Sequence, residues 1–156
     1  MTEAGYRDLT NGLDPQLVAE RVRDGMSEND RVLHANGIRF EAIGPGYAKV
    51  TMTVREDMLN GFDILPTAFH QRCSPNTAFA YACKQRQRGK TVASGISLDF
   101  MAPGRPGEVL CAEAKEVFAA GRTGVYDISV TNPKGELIAV MRGKSYRLKG
   151  RAVVEL

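Results

Sequence analysis

Alternation of apolar and polar residues dominates the chain and predicts six β-strands. Residues 38–43 and 47–54 alternate on either side of Gly44-Pro45-Gly46, which predicts a β-hairpin with a short loop. Four further strands are predicted, and glycine- or proline-rich turns separate them; they are 91–100, 108–119, 125–130 and 137–146. Because short loops join these four strands, we expect them to form an antiparallel meander.

Two other segments show the spacing of amphipathic helices. Asp14-Pro15 is typical of a helix start, and the helix that it opens is expected to end before Asn36-Gly37. Ser74-Pro75 predicts the start of a second helix, which is rich in small residues and would end at Gly89. Residues 56–73 show no clear period. Six strands with one helix to cover them favour an α+β fold, in which a long curved sheet wraps around a central helix.

The pattern contains no linker and no repeat, so we expect one domain overall. Within it we distinguish an N-terminal helical arm (1–36), a body (37–150) and a C-terminal tail (151–156). A chain of 156 residues is long enough to bury a single core. One such unit leaves a sheet edge uncovered, so we expect at least a homodimer.

Charge is unevenly distributed along the chain. The net charge is +3, from 21 basic and 18 acidic residues, which is too small an excess for a general nucleic-acid-binding protein. Residues 1–37 carry −3 and the remainder carries +6. The remainder holds two basic clusters, which are Lys84, Arg86, Arg88 and Lys90, and Arg142, Lys144, Arg147, Lys149 and Arg151. Clusters of this kind are suited either to a solvated surface or to a small polyanion.

Cysteine and histidine usage excludes other classes. Three widely spaced cysteines and two histidines disfavour a disulfide scaffold and a structural zinc site. No apolar run approaches the roughly 20 residues of a membrane span. The first ten residues are polar and lack the core of a signal peptide, so we expect a cytoplasmic protein.

Five strings in the body stand in the order and register of one known family. They are Met58-Leu-Asn-Gly61, Thr77-Ala-Phe-Ala-Tyr-Ala-Cys83, Val92-Ala-Ser-Gly95, Gly121-Arg-Thr-Gly124 and Arg142-Gly-Lys-Ser145. Together they resemble the hotdog-fold acyl-coenzyme A thioesterases of bacterial phenylacetate degradation. The resemblance implies a hotdog fold over 37–150 and hydrolysis of phenylacetyl- or hydroxyphenylacetyl-coenzyme A. It also implies a homotetramer built from two dimers, with no metal and no cofactor.

The same resemblance assigns the site. The family asparagine matches Asn60, and the family aspartate falls at position 76, where this chain has Asn76. The Cys-His-Gly-Gly stretch that serves the oxyanion falls in a window that includes Ala68 and Phe69. The coenzyme A-binding positions are Arg122, Thr123, Gly124, Arg142, Lys144, Ser94 and Gly95. In a working enzyme, a carboxylate at 76 would activate water or attack the thioester carbonyl, and backbone amides would hold the oxyanion.

The window 65–76 departs from the family pattern, and three explanations remain open. Asparagine is neither a base nor a nucleophile, so the first is an impaired relative that binds acyl-coenzyme A without efficient turnover. The second is a different site that uses His70, Cys73 or Ser74, although no third group orients such a pair. The third is a restored reading frame, because suitable codons for 65–76, read one base over, encode Cys-His-Gly.

Three further polar residues of the body are assigned structural roles. Asp99 is a possible substitute base, but its position at a strand end favours a structural role. For Tyr126 and Asp127 we expect strand packing and a solvent-facing charge.

Overall fold

Three α-helices and six β-strands make up the described parts of the chain. The computed structural model describes residues 12–65, 70–85 and 89–152, with the side chains of 70–73, 84, 85, 89 and 150–152 left out. Helices α1, α2 and α3 span Pro15–Ser27, Arg31–Ala35 and His70–Gln85. Strands β1 to β6 span Arg39–Gly44, Tyr47–Thr53, Gly89–Phe100, Val109–Ala120, Thr123–Thr131 and Leu137–Ala152. None of the helices in these ranges is long and apolar enough to cross a membrane.

The N-terminal arm begins as predicted but contains two helices instead of one. The Asp14 carboxylate caps α1 by accepting a hydrogen bond from the Gln16 N–H at 2.7 Å. The prediction of one helix reaching Asn36 is wrong, because Asp30 starts a new helix. Its carboxylate accepts a hydrogen bond from the Leu33 N–H at 3.0 Å and so caps α2. Helix α1 packs on α3 and β1.

The central helix α3 starts earlier than predicted and also ends earlier. It begins at His70, so Ser74 is not its cap, and Pro75 lies inside as the sixth residue. A proline there removes one backbone donor. Ser74 and Pro75 are buried, as are residues 77–79 of the following turn, and this burial offsets that loss. The helix ends at Gln85, whereas Gly89 already belongs to β3.

The six strands form one antiparallel sheet in the order β1-β2-β4-β5-β6-β3. The predicted six-stranded antiparallel sheet around a central helix is therefore confirmed. The meander prediction holds for β4 to β6 but is wrong for β3, which pairs with β6 at the far edge. Residues 101–108 cross the end of the sheet, where the Met101 N–H donates to Ile138 and the Gly107 N–H donates to Val54. Eight extended residues reach up to about 26 Å, well beyond the about 14 Å of three strand spacings.

Close packing of α3 on the sheet shapes the core. Ala78 and Ala82 are fully buried, and the Phe79 ring lies directly over Gly143 of β6. A Cβ at position 143 would be 2.6 Å from that ring, so only glycine fits there. Strand β6 continues to Ala152, past the boundary expected at 150. The division of the chain into arm, body and tail stays a prediction.

Candidate active site

One face of α3 remains partly open. Asn76, Ala80 and Cys83 recur at helical spacing and are half-buried, whereas residues 77–79, 81 and 82 are buried. Asn76, at the position predicted for the family aspartate, therefore lies on the accessible face of the helix. Its amide can donate and accept hydrogen bonds but cannot take up a proton.

Asn60 organises a tight loop before the central helix. Its Oδ1 accepts hydrogen bonds from the N–H groups of Phe62 at 2.9 Å and Ile64 at 3.4 Å, and its own N–H donates to the Ile64 carbonyl at 3.0 Å. Asp63 adopts the left-handed conformation, with φ of 55°. The Asn60 Oδ1 is thus engaged by backbone N–H groups of its own loop. The Nδ2 group is the end that can donate to a substrate.

The window between Asn60 and Asn76 lies partly outside the described residues. Ala68 and Phe69, the predicted oxyanion positions, fall there, as do the side chains of His70 and Cys73. Ser74 is described and is only 1% exposed. Its hydroxyl has no hydrogen-bond partner among the described residues.

Three predicted coenzyme A-binding residues lie together at the start of β5. Arg122, Thr123 and Gly124 line a cavity of about 30 Å³, and Ser145 and Arg147 of β6 line it from the neighbouring strand. The Arg147 N–H donates to the Arg122 carbonyl at 2.8 Å, which fixes the two arginine backbones side by side. The cavity also reaches Cys83 on the open face of α3 and Thr91 on β3.

Arg142, in contrast, lies on the outer face of the sheet. In β6, Met141, Gly143 and Ser145 are buried toward α3, whereas Arg142 and Lys144 are exposed. Arg142 makes two hydrogen bonds to the Asp127 carboxylate, at 2.7 and 2.9 Å. These bonds hold the pKa of Asp127 below its usual range. The structure therefore does not bring Arg142 to the cavity beside Arg122.

Ser94, Gly95 and Lys144 form a separate group at the edge of the sheet. The register of β3 shifts between Ala93 and Gly95, so Ser94 sits in a bulge. Gly95 pairs with Lys144, and a Cβ at position 95 would lie 3.8 Å from Lys144 Cδ. The chain thus brings these three predicted residues together across β3 and β6, but none of them is among the described residues that line the cavity beside Arg122.

The two remaining candidates, Asp99 and Tyr126, lie in positions consistent with the structural roles predicted for them. Asp99 is exposed on the outer face and lines a groove of about 410 Å³ with Arg142 and Asp127. Tyr126 is buried, and its hydroxyl donates to Glu116 Oε2 at 3.2 Å. In the described ranges, no three His, Cys, Asp or Glu side chains are grouped so that they could hold a metal ion.

The sequence predicted Ser145 only as part of the string 142–145 and Arg147 only as part of a basic cluster, whereas the structure places both on the cavity wall beside Arg122. The alternation of β6 contained the signal, because Met141, Gly143, Ser145 and Arg147 share one strand face. The basic residues of the string 142–145, which are Arg142 and Lys144, lie on the opposite face of the strand.

Comparison with known proteins identifies the family. The family model described as Thioesterase superfamily matches residues 76–139. The chain is 41% identical over 132 residues to acyl-coenzyme A thioesterase PaaI of Escherichia coli strain K12, which covers 80% of this chain and 88% of that protein. The structure of the E. coli PaaI protein from the phenylacetic acid degradation operon superposes with a TM-score of 0.84 at 38% identity, covering 88% of this chain and 98% of that one.

Two structures from Thermus thermophilus agree with this assignment. The TT0310 protein has a TM-score of 0.72 at 31% identity, covering 77% of this chain and 99% of that one. A mutant of the phenylacetic acid degradation protein PaaI has a TM-score of 0.71 at 30% identity, covering 76% of this chain and 100% of that one. The chain belongs to the thioesterase superfamily and has its hotdog fold.

Proposed function

We propose that this chain is an acyl-coenzyme A thioesterase that acts on phenylacetyl- and hydroxyphenylacetyl-coenzyme A. The observation that carries the proposal is the open face of α3, which leads from Asn76 to the cavity at Cys83. These two positions are seven residues apart along the helix, or about 10 Å along its axis. A thioester at position 76 and phosphates near Arg122 would lie at the two ends of this path, with the neutral pantetheine arm passing Ala80.

The reacting centre of this proposal consists of position 76, Asn60 and the amides at 68 and 69. The Nδ2 group of Asn60 would donate to the thioester carbonyl or to the attacking water, and the amides of Ala68 and Phe69 would hold the oxyanion. A carboxylate at position 76 would take a proton from that water. Since Asn76 cannot do so, we expect the chain as written to turn over slowly.

Asn76 favours a second candidate, an acyl-coenzyme A-binding protein without turnover. Two measurements on the unmodified chain distinguish the two candidates. One is the affinity for phenylacetyl-coenzyme A, and the other is the rate at which free thiol is released from it. The enzyme binds and releases thiol faster than buffer alone. Binding with no release above the buffer rate would contradict the enzyme and support the second candidate.

We also propose a homodimer formed through β3, and a tetramer of two such dimers. Strand β3 is an edge strand twelve residues long, and Val92 and Ile96 on it are 46% and 49% exposed. Long exposed edge strands with apolar side chains pair readily with another chain. The proposal involves no cofactor, and cytoplasmic location stays a prediction from the sequence.

A further inference from the structure

The loop that carries Asn60 is anchored at both ends. Met58 before it and Leu65 after it are 1% and 0% exposed, and the Leu65 N–H donates a hydrogen bond to the Gly104 carbonyl at 2.9 Å. Between these two anchors, the Asn60 N–H donates to the Ile64 carbonyl at 3.0 Å and closes the loop. A loop that is hydrogen-bonded across its base and buried at both ends presents its tip in a fixed position.

Phe62 lies at the tip of this loop. It is 85% exposed, which is the highest value among the large apolar residues in the described part of the chain. Single exposed apolar residues are common on protein surfaces, so the position of Phe62 matters more than its exposure. Its N–H donates to the Asn60 Oδ1 at 2.9 Å, and the Asn60 Nδ2 therefore lies no more than about 5.5 Å from the Phe62 nitrogen. The exposed ring is thus attached beside the group that we propose as a donor to the thioester.

The position of the loop along the sheet indicates which part of the ligand Phe62 can meet. The loop lies at the end of the sheet where β4 begins, because its last residue is hydrogen-bonded to Gly104 in the segment before that strand. The cavity beside Arg122 lies at the other end of β4, where Ala119 lines it. Val109 and Ala119 are ten residues apart in β4, or about 33 Å along the strand. If the phosphates lie at the cavity, the aromatic group near Phe62 is the ring of the acyl group and not the adenine.

We propose that Phe62 is a specificity-determining residue, whose ring packs against the aromatic ring of the acyl group. The proposal rests on the proposed function, because a phenylacetyl thioester supplies that ring. A single methylene separates the ring from the thioester carbonyl, so a hydrogen bond from the Asn60 Nδ2 to the carbonyl would hold the ring close to Phe62. Paired aromatic rings have centroids about 4.5–7 Å apart and favour binding beyond the area that they bury.

The test compares by calorimetry the affinities of phenylacetonyl-coenzyme A, acetonyl-coenzyme A and coenzyme A itself. In the first two ligands a methylene separates the sulfur from the carbonyl, so neither can be hydrolysed. Phe62→Ala should weaken binding of the phenylacetonyl form about three- to tenfold, as expected for loss of one aromatic pair, and should leave the other two affinities unchanged. Phe62→Tyr keeps an aromatic ring and should keep the affinity. Phe118→Ala, which removes a 61% exposed ring at the far end of β4, is the matched control and should bind like the unmodified chain.

The contrary outcomes separate this proposal from the proposed function. Unchanged affinity of Phe62→Ala for the phenylacetonyl form, or an equal loss for all three ligands, would overturn the role of Phe62. An equal loss in Phe118→Ala would overturn it as well. The selective loss in Phe62→Ala, together with no release of thiol from phenylacetyl-coenzyme A by the unmodified chain, would contradict the proposed enzyme alone. Release of thiol by the unmodified chain, together with an unchanged ligand preference in Phe62→Ala, would contradict the role of Phe62 alone.

Discussion

At the scale of single residues, Gly143 is where the central helix meets the sheet. A Cβ there would lie 2.6 Å from the Phe79 ring, so Gly143→Ala forces the helix or the ring to move. We expect the free energy of unfolding to fall by about 1–3 kcal/mol, as overpacking usually costs. Urea unfolding measures the change.

Gly61→Ala is the control for that substitution. Nothing lies within 4 Å of a Cβ at position 61, and Gly61 does not have a positive φ. Its free energy of unfolding should therefore stay the same or rise slightly. Equal destabilisation by the two substitutions would contradict the close approach of Phe79.

Asn60 allows its loop role to be separated from its proposed role in hydrolysis. Asn60→Asp keeps an oxygen for the N–H groups of Phe62 and Ile64 but removes the Nδ2 donor. We expect unchanged stability and a fall in turnover of phenylacetyl-coenzyme A of about 10²-fold, as for loss of one oxyanion donor. Asn60→Ala should lower both stability and turnover. Unchanged turnover in Asn60→Asp would leave Asn60 with the loop role alone.

The sequence could predict which face of the sheet a residue lies on only where the limits of its strand were known. The string at 142–145 matched the family, but its match did not say that Arg142 and Arg147 lie on opposite faces. Alternation along β6 separates them once the strand is known to continue past Tyr146. The pairing of Arg142 with Asp127 could not be predicted, because it depends on the register between β5 and β6.

At the scale of elements, a hydrogen bond joins the N-terminal arm to the central helix. The Tyr81 hydroxyl of α3 donates to Asp30 Oδ2 at 3.0 Å, while Asp30 Oδ1 caps α2. Phe40 of β1 packs edge-on against the Tyr81 ring, with the centroids 4.6 Å apart. We expect Tyr81→Phe to lower the free energy of unfolding by about 1 kcal/mol at neutral pH. Urea unfolding measures this as well.

The same contact predicts a dependence on alkaline pH. Burial, followed by the nearby Asp30 carboxylate, raises the pKa of Tyr81 above its ordinary value. Its contribution is fully present below the pKa of an unfolded tyrosine, near 10, and is lost progressively as the pH rises above that value. Tyr81→Phe should therefore weaken the fall of stability above about pH 10. If stability falls with pH as steeply in Tyr81→Phe as in the unmodified chain, Tyr81 is not the group responsible.

Element types could be predicted more readily than their order in the sheet. Apolar alternation located all six strands, because each strand buries one face. The sequence pattern is compatible with two connections between β3 and β4 through residues 101–108, a hairpin loop or a segment that crosses the end of the sheet. The hydrogen bonds of this segment to Ile138 and Val54 show that it crosses the end of the sheet. The predicted start of α3 is wrong because Ser74-Pro75 has the local chemistry of a helix start, whereas the helix already begins at His70.

At the scale of the whole molecule, the proposed dimer predicts an effect of charge on β3. Ile96→Asp places a carboxylate at the edge that would be covered, where an unpaired charge is costly. We expect light scattering to show a smaller assembly than that of the unmodified chain. Val32→Asp on α2 is the control, because Val32 is 53% exposed and lies on the arm. An unchanged mass for Ile96→Asp would contradict pairing through β3.

The distribution of charge also belongs to this scale. The sequence separates an arm of −3 from a body of +6, and the structure divides the body's cations between the cavity and the outer face. The count alone could not make that division, because neighbouring residues on a strand face opposite ways. In the proposed dimer, acyl specificity would depend on the shape of a pocket that the second copy helps to form, and the residue pattern of one chain does not specify that shape.

The most direct test of the central claim is the rate at which Asn76→Asp releases coenzyme A from phenylacetyl-coenzyme A. The claim is that position 76 is the reacting centre of an acyl-coenzyme A thioesterase. The restored carboxylate should raise the turnover number by about 10²-fold or more over the chain as written, as for a general base, with unchanged affinity. Asn76→Ala should remain as slow as the written chain. An Asn76→Asp variant no faster than the chain as written, at equal binding, would contradict the claim.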